Sequence, residues 1–224
     1  IIYILLIGIL LQSCSSQEKD LAKITFTEKY EIFFGDIPNK VDKDYSMIDP
    51  RSFNSYKSES DKILNFDGID LSGYRDKKGE FGTNNIRFEF SKEDNTLNYY
   101  YVTLFTTDKV SKLIETLNKT LGKPVYIDYF EDTDRLPDAL LWEDKTSFYS
   151  ITGATQNQVD FEVFNKKNNM IRNKMISGSF QYYGDYLDYL DEENLIKNDF
   201  SYKNYVDEMT KEGSDYYIDN YRKP

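Results

Sequence analysis

The sequence predicts an α+β fold: a mainly antiparallel sheet with one principal helix packed on a face, as a two-layer sandwich. Three observations lead to this fold. One long amphipathic helix pattern lies between short segments in which apolar and polar residues alternate. Polar turns separate these segments, so consecutive strands should form hairpins. Hydrophobic residues make up 39% of the chain, which is enough for a buried core.

A β-hairpin is predicted before the helix. Ile86, Phe88 and Phe90 alternate with polar residues, a polar turn covers 91–96, and residues 97–105 are aromatic and β-branched. The helix should run from about Thr107 to Leu121, because apolar residues recur on one face at Val110, Leu113, Ile114, Leu117 and Leu121. Thr107 or Asp108 can cap its start, and Gly122 followed by Pro124 ends it.

The remaining elements are short. Further strands are predicted at 125–130, 139–142, 148–152 and 159–164, with weaker strand patterns at 24–34 and 63–66. Residues 67–82 are predicted to form an exposed loop or hairpin, because they are rich in glycine and charge.

The character of the chain changes near residue 181. Between 182 and 224 there are eleven acids and five bases, and two helices are predicted at 183–195 and 202–211. We expect an α+β domain over 24–180 and an acidic, tyrosine-rich region over 181–224, packed on the same domain.

The N-terminus carries a targeting pattern. An apolar run of eleven residues, Ile1 to Leu11, is too short for a membrane span of ~20 residues but suits the core of a signal peptide. Leu11, Gln12, Ser13 and Cys14 then resemble the lipobox of bacterial lipoproteins. This resemblance implies a signal peptide over 1–13, cleavage by signal peptidase II, acylation of Cys14 with palmitate-like chains, and a polar tether over 14–23.

The residues after Cys14 bear on location. They are small, polar and charged, and resemble the surface-export signal of Bacteroidota lipoproteins. The resemblance implies a lipid-anchored protein of the bacterial cell envelope, in the outer membrane, on its periplasmic face or on the cell surface.

Composition excludes several classes of function. The chain has no histidine and one cysteine, which removes Ser-His-Asp triads, Cys-His dyads and histidine zinc sites. With Cys14 acylated, no free thiol remains. We therefore predict a protein that is not an enzyme and has no cofactor or metal. A net charge of −11 also makes nucleic acid a poor partner and a basic protein a better one.

The first tail helix carries the predicted partner-binding residues. Aspartates recur at i, i+3 and i+6 beside a row of tyrosines, and the set is Tyr182, Asp185, Tyr186, Asp188, Tyr189 and Asp191. They can form a docking surface for a basic partner, because tyrosine supplies rigid contact area and carboxylates steer association. The alternative interpretation, which we favour, is a solvated amphipathic helix whose tyrosines pack on the sheet.

Other patterns have simpler interpretations. Two carboxylate clusters can bind calcium or cleave glycans: Glu131, Asp132 and Asp134, and Asp67, Asp70 and Asp76. Neither has the EF-hand spacing, and in a chain with 39 acids we interpret both as solvated loops. Trp142 can stack on a sugar, but a core position is favoured.

The leading functional hypothesis is a non-catalytic, lipid-anchored binding protein. The most specific form of this hypothesis is that the protein is an immunity or inhibitor protein that blocks a basic toxin or envelope enzyme. Two alternatives remain. A carboxylate-dependent glycan hydrolase needs two carboxylates ~5–10 Å apart in a cleft. A structural assembly factor of the envelope should expose an apolar patch.

Overall fold

The computed structural model describes residues 18–35, 41–75, 82–129, 137–154 and 156–214. The strands in these ranges are β1 (Asp42–Asp44), β2 (Phe53–Ser58), β3 (Asn65–Phe66), β4 (Ile69–Asp70), β5 (Asn85–Ser91), β6 (Leu97–Leu104), β7 (Tyr126–Asp128), β8 (Ala139–Glu143), β9 (Ser147–Thr152) and β10 (Val159–Asn165). The α-helices are α1 (Tyr30–Phe34), α2 (Thr107–Leu121), α3 (Asn169–Met175), α4 (Gln181–Glu192) and α5 (Tyr202–Lys211).

Eight of these strands form one sheet, in the order β1-β2-β5-β6-β10-β9-β8-β7. Every neighbouring pair is antiparallel, so the predicted α+β fold with a mainly antiparallel sheet is confirmed. The strands β3 and β4 form a separate small hairpin. The pairing of β6 with β10 joins the two halves of the sheet, which come from distant parts of the sequence.

One face of the sheet is covered by α1, α2 and the β3–β4 hairpin. The alternating apolar residues predicted for β5, Ile86, Phe88 and Phe90, all point into this first core. The helix α2 has the predicted bounds, and Val110, Leu113 and Leu117 are buried against the sheet. Its N-cap is Thr106, one residue before the predicted caps, and Gly122 ends it with a positive φ of 86°.

The opposite face of the sheet is covered by α3, α4 and α5. Their apolar side chains form a second core with residues of β6, β8, β9 and β10. The helix α4 approaches the preceding segment closely at Gly184, where a Cβ atom would lie 2.6 Å from the carbonyl oxygen of Ile176. Because only glycine avoids this clash, Gly184 fixes how α4 is seated. The sheet therefore has a helical layer on each face, which makes three layers instead of the predicted two, because the C-terminal helices cover the second face.

The strand predicted at 24–34 is wrong. Residues 30–34 form α1, with Phe33 and Phe34 buried next to each other. A strand would have turned these adjacent rings to opposite faces, whereas a helical turn places both on the first core. Of the strand predicted at 63–66, only Asn65 and Phe66 pair, in the β3–β4 hairpin.

The other elements agree with their predictions to within a few residues. The strand predicted at 125–130 is shorter, since β7 spans Tyr126–Asp128. The first tail helix lies at Gln181–Glu192 instead of 183–195, and the second matches Tyr202–Lys211, with a capping box at Ser201. The helix α3 and the strands β1 and β2 were not predicted.

Some predictions lie outside the described residues: the signal peptide, the lipobox Leu11, Gln12, Ser13 and Cys14, most of the tether, and the carboxylates Asp76, Glu131, Asp132 and Asp134. Within the described ranges, no helix combines the length and apolar character needed to cross a membrane.

Candidate functional site

A polar cleft lies on the sheet face that carries α3 to α5. Its volume is about 540 Å³, and strands β5, β6 and β10 form its floor. The side chains that give it its chemistry are Arg87, Tyr99, Tyr101, Asp160, Glu162 and Lys174. We call it the sheet-face cleft. These residues meet because the register places Tyr101 between Arg87 on one neighbouring strand and Glu162 on the other.

Two carboxylates lie side by side in this cleft. Asp160 and Glu162 are two residues apart on β10, so their side chains share a face, with Cα atoms ~6.6 Å apart for an extended strand. Thr103 Oγ1 donates to Asp160 Oδ1 at 2.8 Å, and Tyr99 OH donates to Glu162 Oε2 at 2.6 Å. Both carboxylates therefore receive hydrogen bonds from neutral hydroxyl groups.

The two cations of the cleft, Arg87 and Lys174, donate hydrogen bonds to a third carboxylate and to a backbone carbonyl. Arg87 Nε donates to Asp44 Oδ2 at 2.6 Å, and its guanidinium lies 5.3 Å from the centre of the Tyr101 ring. The Arg87 hydrogen bond holds the pKa of Asp44 below its ordinary value, against the effect of burial. Lys174 donates to the backbone carbonyl of Met47. This contact ties α3 to the segment that forms one wall of the cleft.

Burial and poor charge compensation raise the pKa of Glu162 to about 7. Desolvation is the main cause, the negative charge of Asp160 adds to it, and the Tyr99 hydroxyl and Lys174 oppose it. Fully buried Glu89 lies on the same sheet face and accepts the N–H of Met47 at 3.0 Å; burial raises its pKa too. The cleft can therefore hold a proton near neutral pH and offers its carboxylates to a cationic or hydroxyl-bearing ligand.

The raised pKa of Glu162 predicts a pH-dependent stability. The folded protein binds this proton more tightly than the unfolded chain, so stability falls as pH rises from about 4.5 to about 7. Between pH 5 and pH 8 the Glu162 contribution changes by roughly 2–3 kcal/mol, because the folded-state pKa of about 7 lies about two pKa units above pH 5 and each pKa unit is worth ~1.4 kcal/mol. We expect Glu162→Gln to become more stable relative to the parent protein by this amount between pH 5 and pH 8, measured by urea unfolding.

The matched control is Glu115→Gln, at an exposed position on α2. Its stability should follow the parent protein at both pH values. If the free energies of unfolding of the parent protein and Glu162→Gln change in parallel with pH, Glu162 titrates alike in the folded and unfolded states and the prediction is wrong.

The structure separates the predicted partner-binding residues into two groups. Tyr186 is 1% exposed and donates its hydroxyl to the carbonyl of Phe200, so it belongs to the second core. Tyr182 and Tyr189 are half-buried and pack against this core. The aspartates lie on the outer side of α4: Asp188 and Asp191 have side chains that are 71% exposed, and Asp185 is partly exposed.

The guanidinium of Arg172 on α3 is shared by two of these aspartates. Its Nη2 lies 3.5 Å from Asp188 Oδ1 and 3.3 Å from Asp191 Oδ2. One positive charge thus faces two negative charges, in a region where acids outnumber bases. Since exposed ion pairs contribute only ~0–1 kcal/mol, this contact leaves both carboxylates available to a partner.

A second polar cluster joins the sheet to the C-terminal helices. Glu143 of β8 contacts the ammonium groups of Lys166, at 2.7 Å, and Lys197, and Tyr183 OH donates to its Oε1 at 2.9 Å. Burial alone would raise the pKa of Glu143, but the two lysines hold it below its ordinary value. Burial lowers the pKa of Lys197. We call these four residues the Glu143 cluster.

Other predicted sites have structural roles. Trp142 is fully buried in the first core, as favoured, and its indole N–H donates to Asn118 Oδ1 at 3.2 Å. Asp70 pairs with Lys109 of α2 at 3.2 Å, and exposed Asp67, in the turn between β3 and β4, accepts a hydrogen bond from Thr120 Oγ1 at 3.5 Å. No group of three or more potential metal ligands occurs in the described ranges.

Sequence reasoning did not find the sheet-face cleft or the Glu143 cluster. The signal was present in part, since Arg87, Asp160 and Glu162 are the polar members of alternating strand patterns. Such residues usually face solvent, and only the order of the strands brings them together under α3.

Comparisons with known proteins give no relative. No protein-family pattern, no curated protein and no solved structure matches this chain.

Proposed function

We propose that this protein is a non-catalytic binding protein of the bacterial cell envelope, anchored to a membrane through acylated Cys14. In this proposal its partner is a basic protein, recognised through the acidic edge of α4, which we define as Asp185, Asp188 and Asp191. In the most specific form, the protein is an immunity or inhibitor protein for a basic toxin or envelope enzyme.

One observation carries the proposal. The inner side of α4 is seated on the sheet through Tyr183, Tyr186, Leu187 and Leu190, while Asp188 and Asp191 face solvent. A rigidly seated helix presents these carboxylates without a large ordering cost on binding. The net charge of −11 favours approach of a basic partner over longer distances.

Neutralising the acidic edge should slow association. For Asp188→Asn/Asp191→Asn we expect the association rate with the partner, recovered by chemical cross-linking in the source cells, to fall by about tenfold at low salt. The dissociation rate should change less, and the salt dependence of association should weaken. Surface plasmon resonance at two ionic strengths measures both rates.

A charge-matched control lies near the first core. Glu115→Gln/Asp61→Asn also removes two exposed carboxylates, and should leave the association rate within about twofold, because these residues are away from α4. Equal rates for the two double variants, or the absence of any cross-linked partner, would contradict the proposal.

A second candidate function is carboxylate-dependent glycan hydrolysis. It is favoured by Asp160 and Glu162, which share the sheet-face cleft. Their Cα atoms lie ~6.6 Å apart on an extended strand, so their carboxylates can reach the ~5–10 Å separation used by glycosidases. Glu162, with its pKa raised to about 7, suits the general acid, and Asp160 the second carboxylate. Release of reducing ends from envelope glycans, abolished by Glu162→Gln, separates this function from binding alone.

A further inference from the structure

A second cavity, of about 390 Å³, lies between the sheet and the helices α4 and α5. The rings of Tyr183, Tyr186 and Tyr202 line it, with centroids 5.5 to 5.6 Å apart, and Val125 adds an aliphatic surface. We call it the tyrosine-lined cavity. Its volume is within the ~300–1,000 Å³ typical of small-molecule sites, and its walls suit an apolar or aromatic body.

The polar end of this cavity is positively charged. Glu143 and Lys197 both line it, but the Glu143 carboxylate is engaged by Lys166, Lys197 and Tyr183. Two lysines therefore share one carboxylate, which leaves a net charge of +1 where the side chains of Glu143, Lys166 and Lys197 are 13%, 23% and 35% exposed. Because this positive charge is partly shielded from water and not fully compensated, an additional anion would be stabilised here.

The ammonium group of Lys197 can make a direct contact with such an anion. Its hydrogen-bonding contacts among the described residues are Glu143 Oε1 and the Tyr183 hydroxyl, at 2.6 Å from the latter, and it lies 4.9 Å from the centre of the Tyr183 ring. An ammonium group has three donors, so one remains for a ligand. The other cation of the lining, Lys203, forms an ion pair with Asp207 at 2.6 Å.

The open side of the cavity is polar. Asn198, Ser201 and Lys203 line it and are exposed, so a ligand can enter from solvent. Ser201 is the N-cap of α5, a helix of ten residues, whose positive end therefore borders the cavity. Both the ammonium group and this helix end favour an anion over a neutral ligand.

From this combination we infer that the tyrosine-lined cavity binds a small organic carboxylate with an aromatic or apolar body. The carboxylate pairs with Lys197, and the body lies against Tyr183, Tyr186 and Tyr202. This site is distinct from the acidic edge of α4. It takes an anionic ligand, whereas the proposed partner of the acidic edge is a basic protein.

The test uses phenylacetate as the probe, titrated into the purified full chain by calorimetry. We expect saturable binding at one site. Phenylacetamide, the neutral analogue, and phenethylamine, the cationic one, should bind at least about tenfold more weakly, because the amide forms no ion pair with Lys197 and the ammonium group is repelled by it. Equal affinity for phenylacetate and phenylacetamide would overturn the inference.

Two variants locate the site. Lys197→Met keeps the aliphatic stem and leaves Glu143 paired with Lys166, and should remove the preference for phenylacetate over phenylacetamide. Lys211→Met removes an exposed charge at the far end of α5 and should leave both affinities unchanged. Phenylacetate binding that is the same in both variants would overturn the inference.

A third variant tests the site even if Lys197→Met does not fold. Val125→Phe adds bulk to the cavity wall without changing charge, and should weaken binding of both phenylacetate and phenylacetamide. If Lys197→Met does not fold, unchanged phenylacetate affinity in Val125→Phe still overturns the inference. The Asp188→Asn/Asp191→Asn variant should bind phenylacetate like the parent protein, so this inference and the proposed function can fail separately.

Discussion

Glu143→Gln should lower the free energy of unfolding by about 2–4 kcal/mol at pH 7, because it removes the charge that compensates the partly buried Lys166 and Lys197. The side chain keeps its shape, so the effect reports charge rather than packing. The substitution also weakens the contact with Tyr183 of α4, which joins the C-terminal helices to the sheet. Urea unfolding followed by circular dichroism measures the change.

The size of this effect should depend on pH in a defined direction. The folded-state pKa of Glu143 lies below its ordinary value of 4.5, so its contribution is fully present above pH 4.5. It is lost as pH falls through the lower folded-state pKa. The difference between Glu143→Gln and the parent protein should therefore shrink in acid.

Glu59→Gln provides the matched control. Glu59 pairs with Lys57 at 3.1 Å, but its side chain is 51% exposed, so the change should cost less than about 1 kcal/mol. If Glu143→Gln costs no more than this control, the Glu143 cluster does not hold the C-terminal helices to the sheet.

Cys14→Ser should move the protein from the membrane fraction to the soluble fraction. A serine hydroxyl cannot replace the thiol in the thioether to diacylglycerol that the lipobox resemblance implies. Loss of two or three acyl chains, at ~0.8 kcal/mol for each buried CH₂ group, is enough to abolish stable anchoring. Cell fractionation and metabolic labelling with palmitate measure this change.

The neighbouring Ser15→Ala substitution tests whether the effect belongs to the cysteine. Ser15 follows the predicted cleavage position, so this variant should stay labelled and membrane-bound. If Cys14→Ser is still labelled with palmitate, Cys14 is not the lipid anchor, and its thiol becomes a candidate reactive group.

Local patterns predicted the elements whose stabilising contacts are close in sequence. The helix α2 has the predicted bounds because one amphipathic stripe and a terminal glycine, Gly122, determine it. The hairpin β5–β6 follows from alternation around a short polar turn. The strand prediction over α1 was wrong because contacts between residues distant in sequence determine this element. As a helical turn, it lets both Phe33 and Phe34 pack on Phe88 and Phe90.

The candidate sites were less accessible to sequence reasoning. The sequence left two settings open for Tyr186, a docking surface and the favoured packing on the sheet, and the rings of Tyr183, Tyr202 and Tyr205 surround it in the second core. Tyrosine fits both settings, because its ring is apolar and its hydroxyl needs only one partner, here the Phe200 carbonyl. The exposed aspartates of the same helix were less ambiguous, since a carboxylate is rarely buried without compensation.

The sequence by itself determined the α+β class, the principal helix, the acidic charge and the absence of histidine chemistry, because composition and local periodicity suffice for each. The tertiary structure alone decided which polar residues meet. Pairing of β6 with β5 on one side and β10 on the other places Arg87, Tyr101 and Glu162 in one row, and the packing of α4 and α5 on the sheet brings Lys197 to Glu143. Such contacts depend on strand order and helix seating, which are set by the burial of the whole chain and not by neighbouring residues.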